Sequence, residues 1–246
     1  MRVRMDEAEI RETQLKLTGR WDFFTQEAYK VLRTNLQFCG QDVRVVAITS
    51  SHENEGKTTI ALHLGKSLAE LDKRVLVIDA DMRKSVMVGR HTTEKHVTGL
   101  SETLTGLASM EDSIYKTQYP GLHIMFAGKY PPNPVELLSS AQFDKLLEAV
   151  REYYDYVLLD MPPLGQVIDA AVVAPKVDGT MLVLDTGSVR YRQAQNVVAQ
   201  LEKSGGKILG VVRNNVTGGN KKYYSGKYYG RKKYYGYQHV EDERKK

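Results

Sequence analysis

Short, almost unbroken apolar runs alternate along this chain with longer stretches in which apolar positions recur every three or four residues. Arg44 to Thr49, Arg74 to Ile78, Tyr156 to Met161 and Gly179 to Leu184 are of the first kind, and His123 to Ala127 and Lys207 to Val212 add two more. Runs this short, rich in Val, Ile and Leu, predict strands buried on both faces. The second kind comprises Thr58 to Leu71, Ala141 to Tyr154 and Tyr191 to Lys203, whose spacing predicts amphipathic helices. A further helix is predicted over Phe24 to Phe38, where Ala28, Val31, Leu32 and Leu36 alternate with Glu27, Lys30 and Arg33. Strands alternating with helices predict an α/β fold with a doubly wound, mostly parallel sheet. Ligands on such sheets bind beyond the carboxyl ends of the strands, so the chemistry is expected there.

The two ends depart from this pattern. Residues 1 to 20 are polar and charged with little periodicity, which predicts a mobile or helical arm. From Thr217 onward the chain holds seven tyrosines among Gly and Lys and almost no aliphatic residue, so it cannot build a core and is expected to be disordered. The expected organisation is an arm and helix over residues 1–40, one domain over 41–216 and a tail over 217–246.

Composition sharpens this picture. With 246 residues, 41% apolar and 26% charged, the chain can form one large core without disulfides. Cys39 is the single cysteine and no signal-peptide pattern opens the chain, so a reducing cytosol is the expected compartment. No apolar run approaches the roughly 20 residues of a membrane span, so any membrane role has to come through a partner. The net charge of +5 is concentrated at one end: from Lys221 onward nine Lys or Arg face three Asp or Glu, which leaves the body close to neutral. A basic nucleic-acid-binding domain is thereby disfavoured.

The first predicted strand runs into Ser50-Ser51-His52-Glu53-Asn54-Glu55-Gly56-Lys57-Thr58-Thr59 and then into an amphipathic helix. Strand, loop and helix in that order are what a phosphate-binding loop requires, because backbone N–H groups and a helix N-terminus must converge on phosphate oxygens. The candidate ATP contacts are Ser51, Glu53, Asn54, Glu55, Gly56, Lys57, Thr58 and Thr59. Lys57 is expected on the β- and γ-phosphates and the Thr58 hydroxyl on Mg²⁺. Ser51 stands where such loops usually begin with glycine and is less permissive of positive φ. The alternative is a helix N-cap followed by a surface lysine.

Three carboxylates accompany this loop. The second strand ends VLVIDADMR, which sets Asp79 and Asp81 two apart at a strand end, and a later strand ends YDYVLLDMPP with Asp160 after an apolar run. Phosphoryl transfer to a hydroxyl needs charge neutralisation and an acceptor for the hydroxyl proton. Asp79 is the candidate base, and Asp81 and Asp160 are the candidate metal-side groups. Capping or turn roles for these aspartates are the competing reading.

With the tyrosine-rich tail and the segment KYPPNPVELL at Lys129 to Leu138, these motifs resemble the bacterial tyrosine kinases of capsule and exopolysaccharide synthesis. The resemblance spans roughly Glu27 to the C-terminus. It implies a P-loop fold of the deviant Walker type that binds Mg-ATP through Lys57, Thr58, Asp79, Asp81 and Asp160 and phosphorylates tail tyrosines of a neighbouring subunit. It further implies a ring built through a Glu-x-x-Arg-x-x-Arg helix, here Glu27, Lys30 and Arg33 with lysine in place of one arginine. A membrane polysaccharide co-polymerase adaptor whose cytosolic segment recruits the kinase to the inner face of the membrane, and a tyrosine phosphatase, are the partners it implies. Asn214 in GVVRNN is a possible adenine contact by the same similarity, with strand-end capping as the alternative. Partitioning and cell-division ATPases are also similar, but their loops carry a signature lysine where His52 stands, which leaves a nucleotide switch without kinase activity as the second reading. The family commonly has Pro and Gly at the positions of Glu53 and Asn54.

The tail places Tyr223, Tyr224, Tyr228, Tyr229, Tyr234, Tyr235 and Tyr237 on a glycine-punctuated segment. A flexible segment of this kind presents hydroxyls to another subunit at high effective concentration. Binding single-stranded nucleic acid is the alternative for an aromatic and basic tail.

Overall fold

The computed structural model describes residues 10–18, 22–94 and 97–216, so the tail and its seven tyrosines lie outside the described residues. Eight strands are present: β1 (Arg11–Glu12), β2 (Val45–Ser50), β3 (Val75–Asp79), β4 (Ile114–Lys116), β5 (Leu122–Met125), β6 (Tyr156–Asp160), β7 (Gly179–Asp185) and β8 (Ile208–Asn214). The helices are α1 (Phe23–Phe38), α2 (Lys57–Ala69), α3 (Met87–His91), α4 (Leu100–Leu104), α5 (Pro134–Ser139), α6 (Ala141–Tyr153), α7 (Asp169–Val173) and α8 (Tyr191–Lys203). All six predicted strands and all four predicted helices are there. The sequence pattern did not reveal the two short edge strands β1 and β4 or the one-turn helices, which are too brief to show a period.

The sheet order is β1-β4-β5-β3-β6-β2-β7-β8. From β5 to β8 every neighbouring pair is parallel, and only β4 pairs antiparallel, with β5. Alternate residues of the central strands feed two cores. Val45, Ala47, Leu76, Ile78, Val157 and Leu159 face one, packed by α6 and α8, while Val46, Ile48, Val75, Val77 and Leu158 face the other, packed by α2. Burial on both faces is why these strands read as continuous apolar runs rather than alternating ones.

The N-terminal arm differs from expectation. Residues 10–18 form no helix, and β1 adds to the sheet edge parallel to β4. Ile10 and Leu15 are buried, and Gln118 brackets the Leu15 backbone by accepting from its N–H and donating to its carbonyl, at 2.8 and 2.6 Å. His91 Nδ1 donates to the Lys16 carbonyl and His63 Nε2 to that of Thr18, at 2.8 and 2.9 Å. The segment lacks periodicity because its apolar side chains are few, Ile10, Leu15 and the partly buried Leu17, while its backbone is bonded to distant partners.

In α1, capped by Asp22 at the Thr25 amide, Leu36 is buried, whereas Phe23, Phe24, Val31 and Phe38 are exposed. Its apolar periodicity therefore exceeds what one chain covers. Among the described residues no helix is long and apolar enough to cross a membrane.

Replacing Leu15 with Ala is expected to lower the unfolding free energy by about 2–5 kcal/mol, the range for a buried leucine. Urea denaturation measures this, and an unchanged midpoint would show that the arm contributes no packing.

Candidate functional site

The phosphate loop begins where β2 ends and finishes where α2 begins, at Lys57. Two residues carry the left-handed conformation that turns the chain: Asn54 at φ 62° and Gly56 at φ 93°. Asparagine is the side-chain-bearing residue best suited to that region, which explains how it serves where glycine is common. Ser51 needs no positive φ, so the missing first glycine introduces no backbone strain. The N-terminus of α2 has no side-chain cap, which leaves its first amides available to an anion.

Glu55 holds the loop from inside. Its buried carboxylate accepts the amides of Ser51 and His52 at 2.7 and 2.9 Å. Asn214, at the end of β8, donates to the Glu55 carbonyl at 2.9 Å. A Cβ on Gly56 would lie 2.2 Å from the Asn214 amide nitrogen, so the two residues are closely packed. Ser51, Glu55 and Asn214 thus stand behind the loop and shape it. Asn214, expected as a possible adenine contact or strand-end cap, donates its amide to the loop backbone.

In front of the loop lies a cavity of about 380 Å³ whose lining includes Glu53, Asn54, Gly56, Lys57, Thr58 and Thr59 together with Asp79, Asp81 and Asp160. Sheet order brings these together. β6 lies between β3 and β2, and Asp79 and Asp160 are register partners at the ends of adjacent parallel strands. The Thr58 hydroxyl donates to Asp160 Oδ2 at 2.5 Å. The loop after β6 is tied back to β2, since Thr49 donates to the Pro162 carbonyl at 2.8 Å and the Leu164 amide to the Ser50 carbonyl at 2.9 Å.

Asp79 and Asp160 are almost fully buried. Burial pushes the Asp79 carboxyl well above the usual range, and the charges of Asp160 and Asp81 push the same way, against bonds from the Ser85 hydroxyl and the Asp81 amide. Burial raises Asp160 to about 6, opposed by Lys57 and the Thr58 hydroxyl. Asp160 Oδ1 is buried with no hydrogen-bond partner among the described residues. A hard divalent cation fits this donor set of carboxylate and hydroxyl oxygens. Mg²⁺ commonly takes one or two protein carboxylates and completes its shell with phosphate and water. Among the described residues no group of three His, Cys, Asp or Glu side chains is gathered closely enough to hold a metal ion without further ligands. Asp81 also accepts the amides of Arg83 and Lys84 at 3.2 and 3.0 Å, a turn role within the site.

Several site residues escaped the sequence reading. Ser85 donates to Asp79 Oδ2 and accepts the Met87 amide at 3.2 Å, linking the candidate base to the start of α3. Arg83 Nε spans both oxygens of the fully buried Asp169 at 3.0 and 3.1 Å, which joins the segments that follow β3 and β6. Lys84 pairs with Glu53 across the mouth of the cavity at 2.8 Å. Arg83 ends the VLVIDADMR run and Lys84 and Ser85 follow it, and only proximity in the fold shows what each of them holds. On α1, Lys30 pairs with Glu27 at 2.7 Å, while Arg33 donates to the Ser67 carbonyl of α2 at 2.6 Å. These three residues expected at a subunit contact are engaged within one chain.

A family model described as an AAA domain matches residues 43–203. The chain is 39% identical over 212 residues to the tyrosine-protein kinase CpsD of Streptococcus agalactiae, covering 86% of this chain and 91% of that one. The kinase domain of the Escherichia coli tyrosine kinase ETK superposes with a TM-score of 0.73 at 32% identity, covering 86% of this chain and 80% of that one. The septum site-determining protein MinD of Pyrococcus horikoshii, complexed with Mg-ADP, superposes with a TM-score of 0.56 at 24% identity, covering 69% of each chain, a likeness of fold alone. The P-loop fold implies nucleotide binding.

Both raised carboxyls bind protons more tightly folded than unfolded. The ligand-free protein is therefore expected to lose stability as pH rises from the ordinary carboxylate range through about 6. Asp79→Asn removes one of the two charges and should raise the thermal midpoint of the ligand-free protein at pH 7.5 by a few degrees, which calorimetry measures; a lowered midpoint would refute the electrostatic account. Asn214→Ala should weaken ATP and GTP equally, by about 3- to 10-fold for loss of roughly 1 kcal/mol of loop-holding bond. Calorimetric titration tests this, and a loss confined to ATP would mark an adenine contact.

Proposed function

This chain belongs to the bacterial tyrosine kinases of capsule synthesis, and from that premise we propose that it passes the γ-phosphoryl group of ATP to tyrosines in the C-terminal segment of a neighbouring copy, regulating capsular or exopolysaccharide synthesis. The pair of buried carboxylates, Asp79 and Asp160, set side by side with Lys57 and Thr58 in one cavity, carries this assignment. A nucleotide switch needs a metal-side acid, and transfer to a hydroxyl needs in addition an acceptor for its proton.

Lys57 and the first amides of α2 bind the phosphate oxygens, and the Thr58 hydroxyl with Asp160 and Asp81 holds Mg²⁺. When bound, the ion neutralises charge on the phosphate oxygens. Asp79 takes the phenolic proton, with its carboxylate oriented by the Ser85 hydroxyl and the Asp81 amide. Its raised proton affinity favours that role over permanent ionisation.

The acceptors are Tyr223, Tyr224, Tyr228, Tyr229, Tyr234, Tyr235 and Tyr237. Each phosphate adds about −1.5 to −2 charge, so four or more reverse the basic tail and release it from an acidic site. Copies assemble into a ring through α1, with Glu27 and Lys30 on its exposed side and Arg33 tied to α2 beside them. The cytosolic segment of a membrane polysaccharide co-polymerase adaptor recruits the ring to the inner face of the membrane, and a tyrosine phosphatase resets the tail.

Incubation of the whole protein with Mg-ATP is expected to yield tyrosine phosphate in the tail. Lys57→Met should lower incorporation by at least about 100-fold, the order of losing one preorganised transition-state contact. Phosphotyrosine mapping measures both, and ATP consumption with every tyrosine unmodified would instead indicate a nucleotide switch.

A further inference from the structure

The dipeptide Lys-Tyr occurs four times in the chain. Three of these, Lys222-Tyr223, Lys227-Tyr228 and Lys233-Tyr234, open the tyrosine pairs of the tail, and the fourth is Lys129-Tyr130. The triplet Gly-Lys-Tyr is shared in full between residues 128–130 and 226–228. The fold brings this fourth copy, far from the tail in sequence, to the edge of the catalytic carboxylates.

Tyr130 is 60% exposed, and its hydroxyl donates to the Ser85 carbonyl at 3.0 Å. Ser85 in turn donates its own hydroxyl to Asp79, so one residue separates the Tyr130 phenol from the candidate base. The segment that presents it is anchored from below. Gly128 adopts φ 79°, and a Cβ there would lie 2.0 Å from Glu102 Oε2. Glu102 accepts the Gly99 and Lys129 amides at 3.0 and 3.1 Å. Pro131 and Pro132 follow directly and restrict the backbone beyond it. The ring is thus displayed from a fixed base, with the bond to Ser85 restraining its hydroxyl among the described residues. Partial burial and the charges of Asp79 and Asp81 keep the phenol protonated, as an acceptor is before transfer.

We propose that Tyr130 is an additional phosphoacceptor of this kinase, placed at the rim of the catalytic site. This rests on the kinase reading above. In the transfer, the bond between the γ-phosphorus and the bridging oxygen breaks with its electron pair leaving on ADP. A bond forms from Tyr130 Oη to that phosphorus, and the phenolic proton passes to a carboxylate and on to water. The product can no longer donate to the Ser85 carbonyl, and it sets a phosphate dianion beside Asp79 and Asp81. Both effects oppose the arrangement that binds nucleotide phosphates, so modification at Tyr130 restrains the site that made it.

The test uses the whole chain and a variant in which all seven tail tyrosines are Phe, each incubated with Mg-ATP and mapped by mass spectrometry. Phosphate at Tyr130 is expected in both. In the seven-Phe variant it should account for the bulk of the remaining phosphotyrosine, vanish on further Tyr130→Phe substitution, and be absent from Lys57→Met. In the otherwise native chain, Tyr130→Phe should leave the tail modified. A phosphorylated tail with an unmodified Tyr130 overturns this inference and leaves the kinase reading standing. Absence of phosphotyrosine from every chain overturns both.

Discussion

Asp79 and Asp160 stand side by side because β3 and β6 are parallel neighbours in register, and the cost of holding two buried carboxylates there determines what surrounds them. An unpaired buried charge is strongly destabilising, so such groups acquire partners or shift towards the neutral form. Here both occur. Lys57 and the Thr58 hydroxyl favour the ionised form of Asp160, Ser85 and the Asp81 amide do so for Asp79, and both carboxyls still bind protons more tightly than usual. The residual imbalance suits a site whose natural complement is a cation and a polyphosphate.

The remainder of the site follows from keeping those carboxylates and the phosphate loop in register. Glu55 and Asn214 shape the loop from behind, and the Pro162 and Leu164 backbone ties the segment after β6 to β2. Arg83 and Asp169 connect the segments that follow β3 and β6. The arm fastens to His63 on α2 and His91 on α3, the helices that follow the phosphate loop and the Asp79 segment. Stretches of chain far apart in sequence are thereby held together around the carboxyl ends of the strands, where open α/β folds place their ligands.

The central strands and long helices were legible because their burial imposes a period on the residues. Lys57, Thr58, Asp79, Asp81 and Asp160 stood out as candidates for a related reason: each lies at or just beyond the carboxyl end of a strand or opens the helix after it. β1, β4 and the arm were not, since a two- or three-residue strand has no period and the arm is held chiefly through its backbone. Ser85, Arg83 and Asp169 also went unread. Their importance comes from partners that no local spacing encodes.

What this sequence determined alone was the alternation of buried strands and amphipathic helices, the loop before α2, the acids at strand ends and a tyrosine-rich C-terminal composition. Periodicity and local chemistry suffice for these, because each depends on residues within a few positions of one another. Tertiary structure decided the rest. It set Asn214 against the phosphate loop, engaged Arg33 with α2, and placed Asp79 beside Asp160 and Tyr130 against Ser85. These relations depend on strand order and on the docking of distant segments, and both are fixed by the packing of the two cores rather than by any run of neighbouring residues.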